Sequence, residues 1–196
     1  MRSFLIAVIF LTSSMQAHSQ LGVGMAFGNE LYQSFTNELA GMENNPTSVL
    51  LSPHFGPKLF IGSQSLSVSL HAGVGISTFA FDWKEYKGMG VVYSPLLVSL
   101  NYGGMSGFTE EQSSWGASLS GGYLFSLSDI YFRKDDVDGD EFKVHQLPTL
   151  RLSGGFGGKG ASVYGYIGYG LGSDINGYFS VGIGLEVNFS QRKNYR

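Results

Sequence analysis

Near the C-terminal end of the chain, apolar residues recur at every second position. From 179 to 189 the odd-numbered residues are apolar and the even-numbered ones are small or polar. Because a β-strand places alternate residues on opposite faces, this segment is predicted to be a strand with one apolar face. Its length suits the about 9–11 residues with which a tilted strand crosses a bilayer. The apolar positions are Phe179, Val181, Ile183, Leu185, Val187 and Phe189.

Similar alternation, or β-type composition between turn residues, predicts seven further strands. With the last one, the predicted strands are 21–28, 55–62, 66–77, 91–102, 115–125, 147–156, 161–171 and 178–189. We interpret 30–52 and 126–146 as long loops and 103–113 as a connector. Pro95 has no N–H to donate, so we expect a bulge or a local break there. An even number of strands, joined by links of which several alternate in length, predicts an all-β, eight-stranded antiparallel up-and-down barrel.

The polar faces of these strands indicate whether the apolar faces point into the barrel or out of it. A soluble barrel turns its apolar faces inward and carries charge outside, as part of a surface roughly 25–35% charged. Here the polar faces consist of Gly, Ser and Tyr, and the charges concentrate in loops and the tail. We therefore predict a transmembrane barrel, and a soluble secreted ligand-binding barrel is the alternative. Aromatic girdles at the membrane interfaces are predicted from Tyr102, Trp115, Tyr178, Phe179 and Phe189.

The N-terminal segment has the three-part layout of a secretory signal peptide. A short basic start precedes the apolar run 4–11, and small and polar residues follow. We predict a cleaved signal peptide at 1–20, with cleavage near 17–20. The barrel is then predicted at 21–189, followed by a short basic tail at 190–196.

Composition narrows the possible functions. The chain has 196 residues, a net charge of −3, 29 glycines and no cysteine. This length predicts one domain, and the negative charge argues against nucleic-acid binding. Without cysteine there is no disulfide, thiolate metal site or cysteine nucleophile.

Several large or charged residues fall on the inward faces by their parity. These include Lys58, Arg151 and Glu186, and since buried charges must be paired or hydrated, we expect an internal salt-bridge network. An eight-stranded barrel is only just wide enough for its own side chains. We expect Tyr164 and Tyr166 to fill it and to leave a plugged interior. The inward glycines opposite them are Gly73, Gly75, Gly182 and Gly184.

His71 is the candidate for chemistry on the inner face, beside Ser67 and Ser69. A Ser–His pair with a carboxylate is the start of a hydrolase, but no partner motif accompanies it. An inward histidine bonded to serines is the expected arrangement. We predict no catalytic, cofactor-binding or metal site, and no histidine pair has zinc-ligand spacing.

The acidic segment 133–141 suggests calcium binding at first sight. An EF-hand aligned on Gly139 places Lys134 and His145 at positions one and twelve, where carboxylates are required. That alignment fails. A solvated loop tip is the expectation, with a looser carboxylate cation site as the alternative.

The closing strand has the pattern Ser180-x-Gly182-x-x-Leu185-x-Val187-x-Phe189. This pattern resembles the C-terminal signal of the small bacterial outer-membrane β-barrel proteins, of the porin-family or OmpA-like kind. Family members commonly end on the aromatic residue, whereas this chain continues past Phe189.

The resemblance covers 21–189 and implies a monomer in the bacterial outer membrane with both termini periplasmic. It also implies that the lipid bilayer and the barrel-assembly machinery are the partners. The predicted function is a structural or surface-interaction role through the outer loops, without catalysis. A lipid-modifying enzyme in the same barrel is the alternative.

Overall fold

The structure, a computed structural model, describes residues 19–36, 47–77, 80–82, 85–88, 92–127, 144–170 and 177–192. Nearly all of these residues belong to one antiparallel sheet. Its strands are β1 (Gln20–Thr36), β2 (Thr47–Gly62), β3 (Leu66–Ala72), β4 (Val74–Ile76), β5 (Ala80–Asp82), β6 (Glu85–Gly88), β7 (Val92–Gly103), β8 (Ser114–Leu127), β9 (Val144–Gly158), β10 (Ala161–Gly170) and β11 (Gly177–Asn188).

The sheet closes on itself, because β1 pairs with both β2 and β11. The order around the barrel is β1-β11-β10-β9-β8-β7-β3-β2, and β4 continues β3 between β2 and β7. β5 and β6 form a hairpin that extends the same sheet beside β2. The predicted eight-stranded antiparallel up-and-down barrel is confirmed.

The two ends of the barrel differ in their links. At one end, which we call the turn end, lie the tight turns at 63–65 and 159–160 and the connector 104–113. The start of β1 and a single helical turn, α1 (Phe189–Arg192), lie there too. At the opposite end, the loop end, β1, β8 and β10 finish. No helix among the described residues is long and apolar enough to cross a membrane.

The prediction of a long loop at 30–52 is wrong at both its ends. β1 continues to Thr36 and β2 already begins at Thr47. A register shift between Glu30 and Tyr32 interrupts the alternation there. Polar residues such as Glu30 point inward. In a barrel with a polar interior, such residues are compatible with a strand and do not mark a loop.

The break expected at Pro95 occurs in the neighbouring strand. β7 passes through Pro95 and keeps its register with β8. Opposite it, β3 ends at Ala72 and β4 begins at Val74, with Gly73 between them. Gly73 N still donates to the Pro95 carbonyl, at 3.0 Å. Because Pro95 has no N–H, the hydrogen-bond ladder between β7 and its neighbour on this side is interrupted at Gly73, and the neighbour is divided into β3 and β4.

The barrel is apolar outside and polar inside. Along β10, Val163 and Ile167 are exposed on the outer face, whereas the intervening residues are buried. Large apolar side chains are exposed in the same way on the other long barrel strands, and most of the buried side chains that point inward are polar or charged. This polarity is opposite to the one that a soluble barrel requires.

Four of the five predicted girdle aromatics are exposed and lie near strand ends. They are Tyr102, Trp115, Phe179 and Phe189. The prediction for Tyr178 is wrong, since this side chain is only 1% exposed. Its even-numbered position in β11 points it into the barrel, on the same face as Ser180.

Candidate functional site: the barrel interior

Two ion pairs lie in the barrel interior. Lys58 on β2 pairs with Glu186 on β11, and the Arg151 guanidinium donates to Glu30 Oε1 at 2.9 Å. All four side chains are buried. The expected internal salt bridges are therefore present, with Glu30 as a member that the sequence prediction had placed in a loop.

Aromatic rings accompany both cations. Arg151 Cζ lies 4.1 Å from the centroid of the Tyr166 ring, and Lys58 Nζ lies 5.2 Å from that of Phe60. The Tyr178 hydroxyl lies 3.4 Å from Glu30 Oε1. A ring face attracts a cation most strongly where water is excluded, so these contacts offset part of the cost of burying the charges.

Tyrosine rings occupy the space that inward glycines leave free. A Cβ built on any of three such glycines overlaps a tyrosine ring of the neighbouring strand. The pairs are Tyr166–Gly182, Tyr164–Gly184 and Tyr93–Gly75. The first two match the predicted arrangement, whereas Gly73 lies beside the imidazole of His71.

Ser67 and Ser69 are bonded to Asn101 rather than to His71. Asn101 Nδ2 lies 3.1 Å from Ser67 Oγ and 2.9 Å from Ser69 Oγ. His71 is buried, and its ring centroid lies 6.2 Å from that of His54. His71 Nε2 has no hydrogen-bond partner among the described residues. Its side chain therefore faces the interior and does not reach the outer surface.

Two hydrogen-bonded groups of small polar residues line the wall formed by β3, β7 and β8. In the first, Ser118 Oγ donates to Asn101 Oδ1 at 2.8 Å, and in the second, Ser120 Oγ donates to Ser99 Oγ at 2.8 Å. We call the two groups together the serine wall. Its members are Ser67, Ser69, Ser99, Asn101, Ser118 and Ser120. The sequence prediction missed the serine wall, although serines at alternate positions of neighbouring strands were its signal.

His54, which lies between the predicted loop 30–52 and the predicted strand 55–62, is a buried member of β2. Its Nδ1 lies 3.3 Å from the Tyr93 hydroxyl, which donates to the Ser52 carbonyl at 2.9 Å. Within the described part of the chain, no group of three or more His, Asp or Glu residues is placed to hold a metal ion. The acidic segment 133–141 and the predicted signal segment up to residue 18 lie outside the described residues.

The connector after β7 folds into the turn end of the barrel. A 3₁₀ turn at Gly104–Ser106 begins it, and Met105 and Phe108 are each 1% exposed. We call residues 104–109 the end cap. The sequence predicted only a connector at 103–113, and the burial of its side chains was not predicted.

The start of the predicted tail packs on β1. Ser190 Oγ accepts from Val23 N at 3.1 Å, and Gln191 Nε2 donates to Gln20 Oε1 at 2.7 Å. Residues 193–196 lie outside the described residues. The helical turn α1 therefore contacts the start of β1 at the turn end.

No protein-family model matches the chain, and no curated protein matches it by sequence. Two solved structures are similar to it. One is the N-terminal β-barrel domain of Pseudomonas aeruginosa OprF, with 12% identity and a TM-score of 0.43, covering 88% of this chain and 100% of that one. The other is Neisserial surface protein A, with 11% identity and a TM-score of 0.45, covering 88% of this chain and 99% of that one. The barrel fold itself rests on the strand pairing of this chain.

Proposed function

We propose that the protein is an integral outer-membrane β-barrel protein with a closed interior. Its role is structural or surface-interacting, carried by the loops at the loop end, and it catalyses no reaction. The observation that carries the proposal is the apolar outer surface around a polar, ion-paired interior. Apolar surface of this extent aggregates in water, whereas a bilayer accommodates it.

Closure of the sheet supports the same conclusion. Within hydrocarbon every backbone N–H and C=O needs an internal partner, so a strand protein crosses a membrane only as a closed barrel. Pairing of β1 with β11 supplies this closure. The outward Phe156 and Val163, each 62% exposed, suit contact with lipid chains.

Burial of the titratable side chains supports the absence of catalysis. Glu30 pairs with Arg151 and Lys58 pairs with Glu186, both inside the barrel, and His71 lies inside it too. An enzyme acting on membrane lipids needs its reactive groups where a lipid can reach them. This arrangement favours a structural role.

Export and orientation follow from the same proposal. A signal peptide at 1–20 directs the chain out of the cytoplasm, and the barrel-assembly machinery recognises the closing strand. The turn end then faces the periplasm and the loop end the exterior. The barrel at 21–189 is a monomer, the tail at 190–196 is periplasmic, and neither nucleic acid nor a cofactor takes part.

Membrane fractionation and heat-modifiable migration test the proposal together. We expect the mature protein in the outer-membrane fraction, and we expect boiled and unboiled samples to migrate differently on a gel containing SDS. The difference arises because an intact closed barrel resists SDS until it is heated. Identical migration together with recovery in the aqueous fraction would show that the protein is not a membrane barrel.

A further inference from the structure

We propose that the end cap, residues 104–109, is the barrier that keeps small charged solutes at the turn end out of the barrel interior. This inference rests on the proposed closed interior and names the part of the chain that closes one end of it. The alternative is that the tyrosines and ion pairs in the middle of the barrel suffice for closure.

Two apolar side chains of the end cap point into the barrel. Phe108 packs edge-on against Phe60, with ring centroids 6.4 Å apart and planes at 80°. Met105 packs with Tyr164 and Tyr166 in one buried cluster. A loop between two strands is ordinarily exposed, so burial of both side chains marks a segment that is built into the barrel.

The rings that Phe108 and Met105 contact are themselves in contact with the cations of the two ion pairs. Phe60 lies beneath the Lys58 ammonium, which pairs with Glu186. Tyr166 lies against Arg151, which pairs with Glu30. Phe108 and Met105 therefore lie between the turn end and both pairs, where they limit the access of water and ions to buried charges.

Hydrogen bonds fix the end cap to the tight turn between β2 and β3. The Ser106 hydroxyl donates to the Gln64 carbonyl at 2.7 Å and accepts from Phe108 N at 3.2 Å. The Ser67 hydroxyl donates to the Ser106 carbonyl at 2.7 Å. The Thr109 hydroxyl lies 2.7 Å from the Gly103 carbonyl.

Contacts from the other side of the barrel complete the attachment. Asn188 Nδ2 donates to the Gly107 carbonyl at 3.0 Å, and Lys159 N donates to the Thr109 carbonyl at 2.7 Å. Gly107 has φ of 78°, a conformation that favours glycine, and a Cβ there would also press on the Phe60 ring. The end cap is thus held by strands on both sides of the barrel and its backbone is specified by sequence.

The absence of cysteine allows a direct test. Ser69→Cys places a single thiol on the inner wall, in register with Phe60, and Ser113→Cys places one in the exposed part of the connector. Each full-length protein is folded into liposomes and treated with a charged, membrane-impermeant methanethiosulfonate. The rate of labelling is compared between the parent and the double variant Met105→Ala/Phe108→Ala.

We expect the Ser69→Cys thiol to be protected in the parent and labelled at least about tenfold faster in the double variant. Ser113→Cys reports the unhindered rate in both backgrounds. The matched control is Leu119→Ala/Phe156→Ala, which removes two outward apolar side chains and leaves the Ser69→Cys thiol protected. If the double variant does not give a heat-modifiable barrel, a two-residue Asn-Gly turn joining the paired Gly103 and Gly116 removes residues 104–115, the end cap included. Because Ser113 is lost with them, the Ser113→Cys rate in the parent then supplies the unhindered rate.

The outcomes separate the two proposals. Protection of the Ser69→Cys thiol in the parent and also after removal of the end cap overturns this inference and leaves the closed barrel intact. Labelling of that thiol in the parent at the rate of Ser113→Cys shows that the interior is open, which overturns the closed interior itself. Protection in the parent followed by labelling in the capless variants supports both.

Discussion

The serine wall and the wall opposite it both line the polar interior of the barrel, but with different kinds of side chain. On β3, β7 and β8 the members of the serine wall are short and neutral, and they bond to their neighbours on the next strand. On β1, β2 and β9–β11 the inward residues include charged and aromatic side chains that reach across the barrel, as Arg151 reaches Glu30. The serine wall leaves the room that the larger side chains occupy. We therefore expect the two walls to contribute independently of each other, and the ion-paired wall to respond as a unit.

Removing one member of a buried ion pair should have the largest effect. Glu30→Ala leaves the buried Arg151 without its carboxylate, which costs about 3–5 kcal/mol in the free energy of unfolding. Urea titration of the protein folded in detergent micelles measures the change. The double variant Glu30→Leu/Arg151→Met should recover most of the loss, because no unpaired charge remains. Equal destabilisation in the two variants would contradict the unit behaviour of this wall.

A methyl group added under a tyrosine ring should have an intermediate effect. Gly182→Ala places a Cβ against the Tyr166 ring, and displacing that ring from the Arg151 guanidinium costs about 1–3 kcal/mol. Gly165→Ala is the matched control, since its Cβ would point outward with its nearest neighbour at 3.9 Å. Both variants are compared by urea titration. A larger loss of unfolding free energy in Gly165→Ala than in Gly182→Ala would contradict the packing of Tyr166 over Gly182.

Removing a hydroxyl from the serine wall should have the smallest effect. Ser120→Ala removes one hydrogen bond to Ser99, worth about 0.5–1.5 kcal/mol. Combined with Gly184→Ala, whose Cβ would meet the Tyr164 ring on the opposite wall, its effect should add to within about 0.5 kcal/mol. A thermodynamic cycle of the two single variants and the double variant measures this. A large coupling between these positions would show that the two walls are not independent.

Most of the barrel could be predicted from sequence because alternation in a strand is local. Val163, Ile167 and their neighbours on β10 show their orientation by parity alone. The predicted first strand ended too early because the two-residue period shifts at the irregularity between Glu30 and Tyr32. Polar inward residues there resemble a loop when the interior is assumed to be apolar.

The interior could be predicted only in part. Parity placed Lys58, Arg151 and Glu186 inside, but no local pattern pairs Arg151 with Glu30, which lies far away along the chain. Burial of Phe108 depends on Phe60 and Gln64, which approach only after the sheet has closed. Contacts of this kind belong to the tertiary structure and leave no periodic signal in the sequence.

Pairing of β1 with β11 also has a consequence for the order of folding. Most other barrel strands pair with their neighbours in sequence, whereas Gly24 meets Asn188 only when both ends of the chain are present. Until then the growing sheet keeps two free edges, whose unpaired backbone groups can add strands from another molecule. Because the entropy cost of loop closure is greatest for the pairing of β1 with β11, this pairing is the slowest contact to form. A chain shortened before Gly177 would lack β11 and remain an open, aggregation-prone sheet.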